Sequence, residues 1–285
     1  MNSGSTPDIG TVATIDIAGL SVRYARSGAS GDVPILLTAP WPESIYAFHR
    51  VLPRLGSQHP LLAVDLPGYG LSQSRPEVMA PEAMGSFLVT LLRRFGISRT
   101  HVLAPDVGAL AVLFAAAKQP DLFESLALGS AATRADLAGS PLKDLIQSTP
   151  GALAGIDGAE ALKDYFAAAA LITPPAIIDD FRRGSAGRRF EDAVQYVRGY
   201  LTDLPKLEPL LSTIKTPVLI IAGKNDPIVP PSNGQVLADR LPHNRYVLLD
   251  AAHRVWEEAT EEYAAAVLSW FDGEYRTYTG PESQH

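Results

Sequence analysis

The stretch Ala104-Pro105-Asp106-Val107-Gly108 decides how the rest of the chain is interpreted. It lies between apolar runs at residues 101–103 and 109–117, which predict a strand and a helix. A sharp strand-to-helix turn presents one side chain above a sheet, and it needs small neighbours because the backbones come close together. The pattern therefore predicts that Asp106 is presented in the layout of a nucleophile elbow. Taken alone, Pro-Asp-x-Gly is also an ordinary turn sequence.

The composition indicates a globular protein, since 46% of the 285 residues are hydrophobic and 19% are charged. A net charge of −7 and the lack of a basic cluster give no electrostatic support for a nucleic-acid partner. The absence of cysteine excludes disulfides, thiolate nucleophiles and Cys-ligated metals. Residues 1–8 lack the basic and apolar regions of a signal peptide, and no apolar run approaches the ~18 residues of a membrane span. These features predict a cytoplasmic protein without a membrane partner.

Short apolar runs alternate with helical periodicity along most of the chain. Residues 11–16 and 20–25 predict an antiparallel hairpin. Further strands are predicted at residues 34–38, 61–65, 101–103, 123–129, 217–223 and 245–250, and helices at residues 44–55, 81–95, 109–117, 232–241 and 261–271. This alternation predicts an α/β fold with a mostly parallel, doubly wound sheet. Residues 131–212 interrupt it with a helical block, which we call the lid, between a first core part at 1–130 and a second at 213–285.

Two further polar residues follow predicted strands closely. Asp226 comes after the strand at 217–223, and His253 after the strand at 245–250. Ligands of doubly wound sheets bind beyond the carboxyl ends of the strands, so Asp226, His253 and Asp106 are expected to meet there. Each of them alone has an ordinary explanation as a turn or surface residue. Together, in the order nucleophile, acid and histidine, they favour a catalytic triad.

With these residues the chain resembles the α/β-hydrolase superfamily over about residues 12–271. The closest likeness is to its branch with an aspartate nucleophile, to epoxide hydrolases and more distantly to haloalkane and haloacetate dehalogenases. Three segments resemble family motifs: residues 39–44 (Ala-Pro-Trp-Pro-Glu-Ser) the His-Gly-x-Pro loop, residues 65–72 the Asp-x-x-Gly-x-Gly-x-Ser turn, and His253 to Glu257 the His-x-x-x-Glu segment. The resemblance implies an α/β-hydrolase fold with an inserted helical cap and no metal or organic cofactor.

It also implies the opening of an epoxide to a vicinal diol through an ester on Asp106. A carboxylate attacks a saturated carbon and forms an alkyl ester on the enzyme. His253, oriented by Asp226, would then activate the water that hydrolyses this ester. By their positions, the backbone N–H groups of Trp41 and Val107 would hold the oxyanion that develops on the carboxyl group.

Lid tyrosines are expected to donate to the epoxide oxygen. Tyr165 and Tyr196 lie at positions that resemble the two acid tyrosines of epoxide hydrolases, and Tyr200 is an alternative to Tyr196. Trp41 and Tyr200 are further expected to contact a small hydrophobic substrate. The tyrosines could equally be packing residues of amphipathic lid helices.

Two alternative functions remain open. One is a hydrolytic dehalogenase with the same nucleophile, which Val107 disfavours because haloalkane dehalogenases usually have Trp there. The other is a non-hydrolytic member of the fold in natural-product biosynthesis, which the residues Ala39, Pro40 and Pro105 motivate because they depart from the family motifs. A monomer and a homodimer both remain open.

Overall fold

The computed structural model describes residues 8–31 and 33–278, and its centre is an eight-stranded sheet. The strands are β1 (Thr11–Ile17), β2 (Leu20–Gly28), β3 (Ile35–Thr38), β4 (Pro60–Val64), β5 (Thr100–Pro105), β6 (Phe123–Gly129), β7 (Val218–Gly223) and β8 (Asn244–Leu249). Their order across the sheet is β1-β2-β4-β3-β5-β6-β7-β8. The pairs β1–β2 and β2–β4 are antiparallel, and the other pairs are parallel. The predicted α/β fold with a mostly parallel sheet and an antiparallel start is confirmed.

Helices cover both faces of this sheet. They are α1 (Leu52–Gly56), α2 (Pro81–Arg94), α3 (Val107–Lys118), α4 (Ser140–Gln147), α5 (Gly158–Ala161), α6 (Lys163–Ala169), α7 (Pro175–Ser185), α8 (Arg189–Arg198), α9 (Tyr200–Leu207), α10 (Ser232–Arg240), α11 (Val255–Glu258), α12 (Thr260–Ser269) and α13 (Tyr275–Thr277). Leu36 of β3 packs in the core that includes α2 and α3, while its neighbours Ile35 and Leu37 pack in the core that includes α1 and α12. Since strand side chains alternate between faces, a strand covered on both sides is expected to be largely apolar on both.

The helix predicted at residues 44–55 is interrupted. A 3-10 helix spans Ile45–Phe48, and α1 begins only at Leu52. Pro53 lies in the first turn of α1, the part of a helix that tolerates a residue without an N–H group. It therefore starts a new helix and could not continue the previous one.

The helices α4 to α9 all lie between β6 and β7 in the chain. They pack above the carboxyl ends of the strands: the Tyr196 hydroxyl of α8 donates to the Val107 carbonyl oxygen at 2.6 Å, and Asp180 of α7 pairs with Arg23 of β2. The exact division of the chain at residues 130 and 212 stays a prediction. Within the described ranges, no helix is both long and apolar enough to cross a membrane. The signal-peptide prediction concerns residues 1–8, of which residues 1–7 lie outside those ranges.

Candidate active site

Asp106 lies on the turn between β5 and α3, in a backbone conformation that few non-glycine residues adopt. Its φ is +55° and its ψ is −128°, and strained residues of this kind cluster at active sites. Gly108 meets the steric demand of the turn, because a Cβ there would lie 2.0 Å from the Thr38 hydroxyl oxygen. Pro105 is accommodated because sheet pairing resumes at the next residue, where the Asp106 N–H donates to the Gly129 carbonyl oxygen at 2.8 Å. The turn thus projects the Asp106 side chain beyond the end of β5.

The two carboxylate oxygens of Asp106 have different surroundings. Oδ2 accepts a hydrogen bond from the Trp41 backbone N–H at 2.8 Å. Oδ1 lies 3.9 Å from Nε2 of His253. Burial raises the pKa of Asp106, although the charge of His253 and the N–H groups of Trp41 and Val107 oppose this shift. One oxygen is therefore held by the loop after β3, while the other faces the histidine.

His253 is oriented by Asp226. Its Nδ1 lies 2.7 Å from Oδ2 of Asp226, and Oδ1 of the same carboxylate accepts the N–H groups of Ile228 and Val229, both at 2.8 Å. Burial alone would lower the pKa of His253, but the hydrogen bond and charge of Asp226, with the charge of Asp106, raise it above its ordinary value. The hydrogen bond at Nδ1 leaves Nε2 facing Asp106, the arrangement of a general base.

A cavity of about 520 Å³ opens above these residues. Its lining is mostly apolar: Trp41, Pro42, Val107, Pro141, Leu142, Leu145, Leu162, Tyr165, Phe190, Val197, Tyr200 and Ile228, with Asp106, Asp164 and His253 as its ionisable members. Among the described residues that line it, there is no lysine or arginine. A larger groove of about 930 Å³ lies at the opposite end of the sheet, beside Pro217 and Asn244, and is remote from the triad. The cavity above Asp106 is the candidate substrate site.

The three tyrosines predicted for this site have different positions. Tyr196 is fully buried, its hydroxyl donates to the Val107 carbonyl oxygen, and it does not line the cavity. Tyr165 lines the cavity, but its hydroxyl donates to Glu43 at 2.7 Å. Tyr200 also lines the cavity. The predicted pair of Tyr165 and Tyr196 aimed together at a substrate oxygen is therefore not formed.

A buried group of charged residues beside His253 was missed by the sequence reasoning. Arg254 Nη1 lies 2.7 Å from Oε2 of Glu257 and 3.5 Å from Oε1 of Glu43. The sequence marked Glu43 and Glu257 only as parts of motifs. Nothing in their spacing indicated that they would meet, because Glu43 lies on a loop and Glu257 in α11, 214 positions apart.

Metal ligands are not grouped in the part of the chain that the structure describes. No set of three or more histidine, aspartate or glutamate side chains among residues 8–31 and 33–278 is placed to hold a metal ion.

Comparisons with known proteins agree with the fold. A model of the alpha/beta hydrolase family matches residues 30–266. Over 264 residues the chain is 27% identical to pimeloyl-[acyl-carrier protein] methyl ester esterase of Neisseria meningitidis, a match that covers 88% of this chain and 98% of that protein.

Solved structures resemble the fold of this chain as well. A hydrolase from Pseudomonas aeruginosa PA01 superposes with a TM-score of 0.76 at 24% identity, covering 93% of this chain and 99% of that one. Haloalkane dehalogenase DbeA from Bradyrhizobium elkani USDA94 gives a TM-score of 0.76 at 19% identity, covering 94% and 99%. At these identities the likeness extends to the fold alone.

The prediction of an epoxide hydrolase is wrong. Four relatives from Neisseria meningitidis, at 27–28% identity, are named as pimeloyl-[acyl-carrier protein] methyl ester esterases, and the predicted pair of tyrosines for opening an epoxide is not formed. The dehalogenase alternative gains only a likeness of fold. The non-hydrolytic alternative gains no support, because both the family and these relatives are hydrolases.

Proposed function

The chain belongs to the α/β hydrolase family, and we propose that it is a hydrolase in which Asp106 is the nucleophile and attacks a saturated carbon. Asp226 and His253 would activate water, and the N–H groups of Trp41 and Val107 would stabilise an oxyanion. One observation supports this assignment above the others: Oδ2 of Asp106 already accepts the Trp41 N–H at 2.8 Å.

This hydrogen bond separates the proposed chemistry from ester cleavage by a serine. In α/β-hydrolases with serine at the elbow, the same backbone N–H groups bind the oxyanion that forms on the substrate carbonyl. Here the Trp41 N–H is bonded to the carboxylate of Asp106 itself. It would therefore stabilise an oxyanion that forms on the enzyme's own carboxyl carbon.

In the first step, Oδ1 of Asp106 would form a bond to a saturated carbon of the substrate. The leaving group departs with the electron pair of the bond that breaks, and an alkyl ester on Asp106 results. A carboxylate is suited to this attack because it needs no base to remove a proton. Tyr200 and the Trp41 side chain line the cavity and would contact the substrate.

In the second step, Nε2 of His253 would take a proton from water as the oxygen attacks Cγ of Asp106. The oxyanion forms on Oδ2, at the Trp41 N–H. When the intermediate collapses, the bond from Cγ to the alkyl oxygen breaks, and the alcohol leaves with the proton from His253. The net reaction converts R–X and water to R–OH and HX.

The cavity indicates what kind of substrate would fit. Its volume of about 520 Å³ and its apolar walls suit a small hydrophobic molecule. Its charged members include the carboxylates of Asp106 and Asp164, and no described lysine or arginine lines it. An anionic substrate would meet like charge without a compensating lysine or arginine. The substrate we propose is therefore uncharged.

A second candidate is hydrolysis of a carboxyl ester, which the name of the relative from Neisseria meningitidis favours. In that case His253 would activate water for direct attack on the substrate carbonyl. The alcohol would leave with the proton, and no bond to Asp106 would form.

A single turnover in H₂¹⁸O distinguishes the two candidates. We would first screen alkyl methanesulfonates, alkyl bromides and methyl esters of neutral C4–C8 chains, and then use the best substrate with enzyme in excess. With a covalent step, the first alcohol retains unlabelled oxygen from Asp106, and ¹⁸O appears in the peptide that contains this residue. Direct hydrolysis of an ester would instead put ¹⁸O into the acid product.

Variants test the covalent step separately. His253→Gln should accumulate the alkyl-enzyme, seen as a mass increase of the intact protein, and Asp106→Asn should form none. Asp179→Asn, which changes an exposed lid carboxylate, is the matched control and should form and hydrolyse the ester normally. The proposal would be refuted by ¹⁸O in the alcohol of the single turnover, or by the lack of an adduct with every compound of the panel.

A further inference from the structure

Glu43 lies at a junction between the lid and the catalytic loops. Its Oε1 accepts the Tyr165 hydroxyl at 2.7 Å, and its Oε2 accepts the Trp256 indole N–H at 3.0 Å. Arg254, the residue after His253, lies 3.5 Å from Oε1. The Glu43 side chain is fully buried, so these contacts replace the water that a carboxylate would otherwise bind.

A second lid hydroxyl meets the neighbouring carboxylate. Thr173 lies in the turn between α6 and α7, and its hydroxyl is 3.1 Å from both oxygens of Glu257. Arg254 lies between the two carboxylates, 2.7 Å from Glu257. Burial raises the pKa of Glu43 and, together with the charge of Glu43, that of Glu257. Each carboxylate therefore depends on a lid hydroxyl as well as on the shared guanidinium.

Glu43 and Glu257 differ in the segment of the chain to which each belongs. Glu43 is two residues after Trp41, whose N–H donates to Asp106, and its own N–H donates to the Pro40 carbonyl oxygen at 3.0 Å. Glu257 lies in α11, after His253, and is not part of the Trp41 loop. Tyr165 is also a wall of the cavity. If the Tyr165 ring moved, Glu43 is the side chain that would transmit the movement to the loop of the Trp41 N–H.

We propose that Glu43 is a positioning residue, which links the Tyr165 hydroxyl of the lid to the loop that presents the Trp41 N–H to Asp106. Seating of the lid above the cavity then completes the oxyanion site, because the Tyr165 hydroxyl holds Glu43 and, with it, the part of the loop next to Trp41. The inference rests on the proposed function only where it gives the Trp41 N–H a role in catalysis.

Amide hydrogen exchange at Trp41 tests the link without any substrate. Tyr165→Phe removes only the hydroxyl and should speed exchange of the Trp41 N–H by about tenfold. Thr173→Val, the matched control, removes the lid hydroxyl from Glu257 and should leave that rate within about twofold. Glu43→Gln keeps an oxygen that can accept from Tyr165 and should resemble the parent, whereas Glu43→Ala should resemble Tyr165→Phe. Amides of β5 serve as the internal reference for global stability.

Adduct kinetics add the functional readout. In Tyr165→Phe, loss of the alkyl-enzyme should slow by about tenfold, while its formation changes by less than about twofold, because the Trp41 N–H acts in the second step. Unchanged Trp41 exchange in Tyr165→Phe, or an equal change in Thr173→Val, would overturn the link. Absence of any adduct in the parent would refute the proposed function and leave the exchange result to decide the link alone.

Discussion

At position 106, a carboxylate and a hydroxyl would lead to different chemistry from the same turn. The carboxylate of Asp106 reaches both the Trp41 N–H and the vicinity of His253, with one oxygen for each. A serine side chain has a single oxygen and is shorter by one atom. The Trp41 N–H would then be free to bind the carbonyl oxygen of a substrate.

Asp106→Ser is therefore expected to gain cleavage of activated esters. The hydroxyl could lose its proton to His253 and attack 4-nitrophenyl butyrate, with Trp41 and Val107 holding the oxyanion. A burst of nitrophenolate equal to the enzyme concentration would report an acyl-enzyme. Asp106→Asn, which keeps the size but lacks a nucleophile, should give no burst. Equal rates in the two variants would show that the loop does not supply an oxyanion site.

The pH dependence should follow the ionisation of His253. As a base it acts in its neutral form, so loss of the alkyl-enzyme is expected to quicken as pH rises through the pKa of His253, which burial lowers and the hydrogen bond and charge of Asp226 raise. Asp226→Asn removes the two largest interactions that raise this pKa, while burial still lowers it and the charge of Glu43 still raises it. The acid limb should move to lower pH, while the maximal rate falls about 10²- to 10⁴-fold. A stopped-flow pH profile of adduct loss measures both; an unmoved limb would contradict this account.

At the scale of elements, the site depends on close packing of α3 against β3. Gly108→Ala places a methyl group 2.0 Å from the Thr38 hydroxyl oxygen and should reduce the free energy of unfolding by about 1–3 kcal/mol. Among the described residues the Thr38 hydroxyl has no hydrogen-bond partner, so Thr38→Ala alone should cost less than about 1 kcal/mol. Equilibrium urea unfolding of both single variants and the double variant measures the coupling. Thr38→Ala should restore much of the stability lost in Gly108→Ala; simple additivity would disprove the steric cause.

Buried strands could be predicted from the sequence, while the orientation of lid side chains could not. The runs that became β3, β5 and β7 are mostly apolar because both faces are covered, and this leaves a pattern that the sequence shows. Tyr196 and Tyr200 are four residues apart, but α8 ends at Arg198 and α9 begins at Tyr200. They therefore do not share one continuous helical face. Only the crossing of the two helices determines which tyrosine meets the cavity.

The positions of Asp226 and His253 could also be predicted from the sequence, whereas the contacts of Glu43 could not. Asp226 and His253 follow predicted strands, so the topology of the sheet determines which edge they reach. Glu43 meets the Tyr165 hydroxyl across 122 positions of the chain, and each partner belongs to a segment without strand periodicity. A buried carboxylate among apolar residues has no signature in spacing. Its burial depends on partners that only the tertiary structure brings together.

For the whole molecule, a buried ion cluster joins the lid to the sheet. Arg23 of β2 donates through both terminal nitrogens to the carboxylate of Asp180 in α7, at 2.8 Å each, and through Nε to Asp65 at 2.5 Å. Asp180 also accepts the Ser44 hydroxyl at 2.7 Å. All of these side chains are buried, so each lost contact removes a charged hydrogen bond that water does not replace. Ser44 lies on the loop that contains Trp41. The cluster therefore gives the lid a second contact with this loop, in addition to the hydrogen bond between Tyr165 and Glu43.

Asp180→Asn should lower the free energy of unfolding at pH 7 by about 1–3 kcal/mol, because Arg23 loses one of its two paired carboxylates and keeps only Asp65. Arg182→Ala breaks an exposed ion pair with Asp179 in the same helix and should cost less than about 1 kcal/mol. Burial alone would raise the pKa of Asp180, but Arg23 and Ser44 lower it below its ordinary value. The contribution of the Asp180 charge to the free energy of unfolding is therefore fully present above about pH 4. It is lost as the pH falls through the lowered pKa of Asp180. Denaturant unfolding of parent and variant from pH 7 to pH 3 should show the difference narrowing only in the acid range. A difference that persists unchanged at pH 3, or is absent at pH 7, would mean that the charge of Asp180 does not hold the lid.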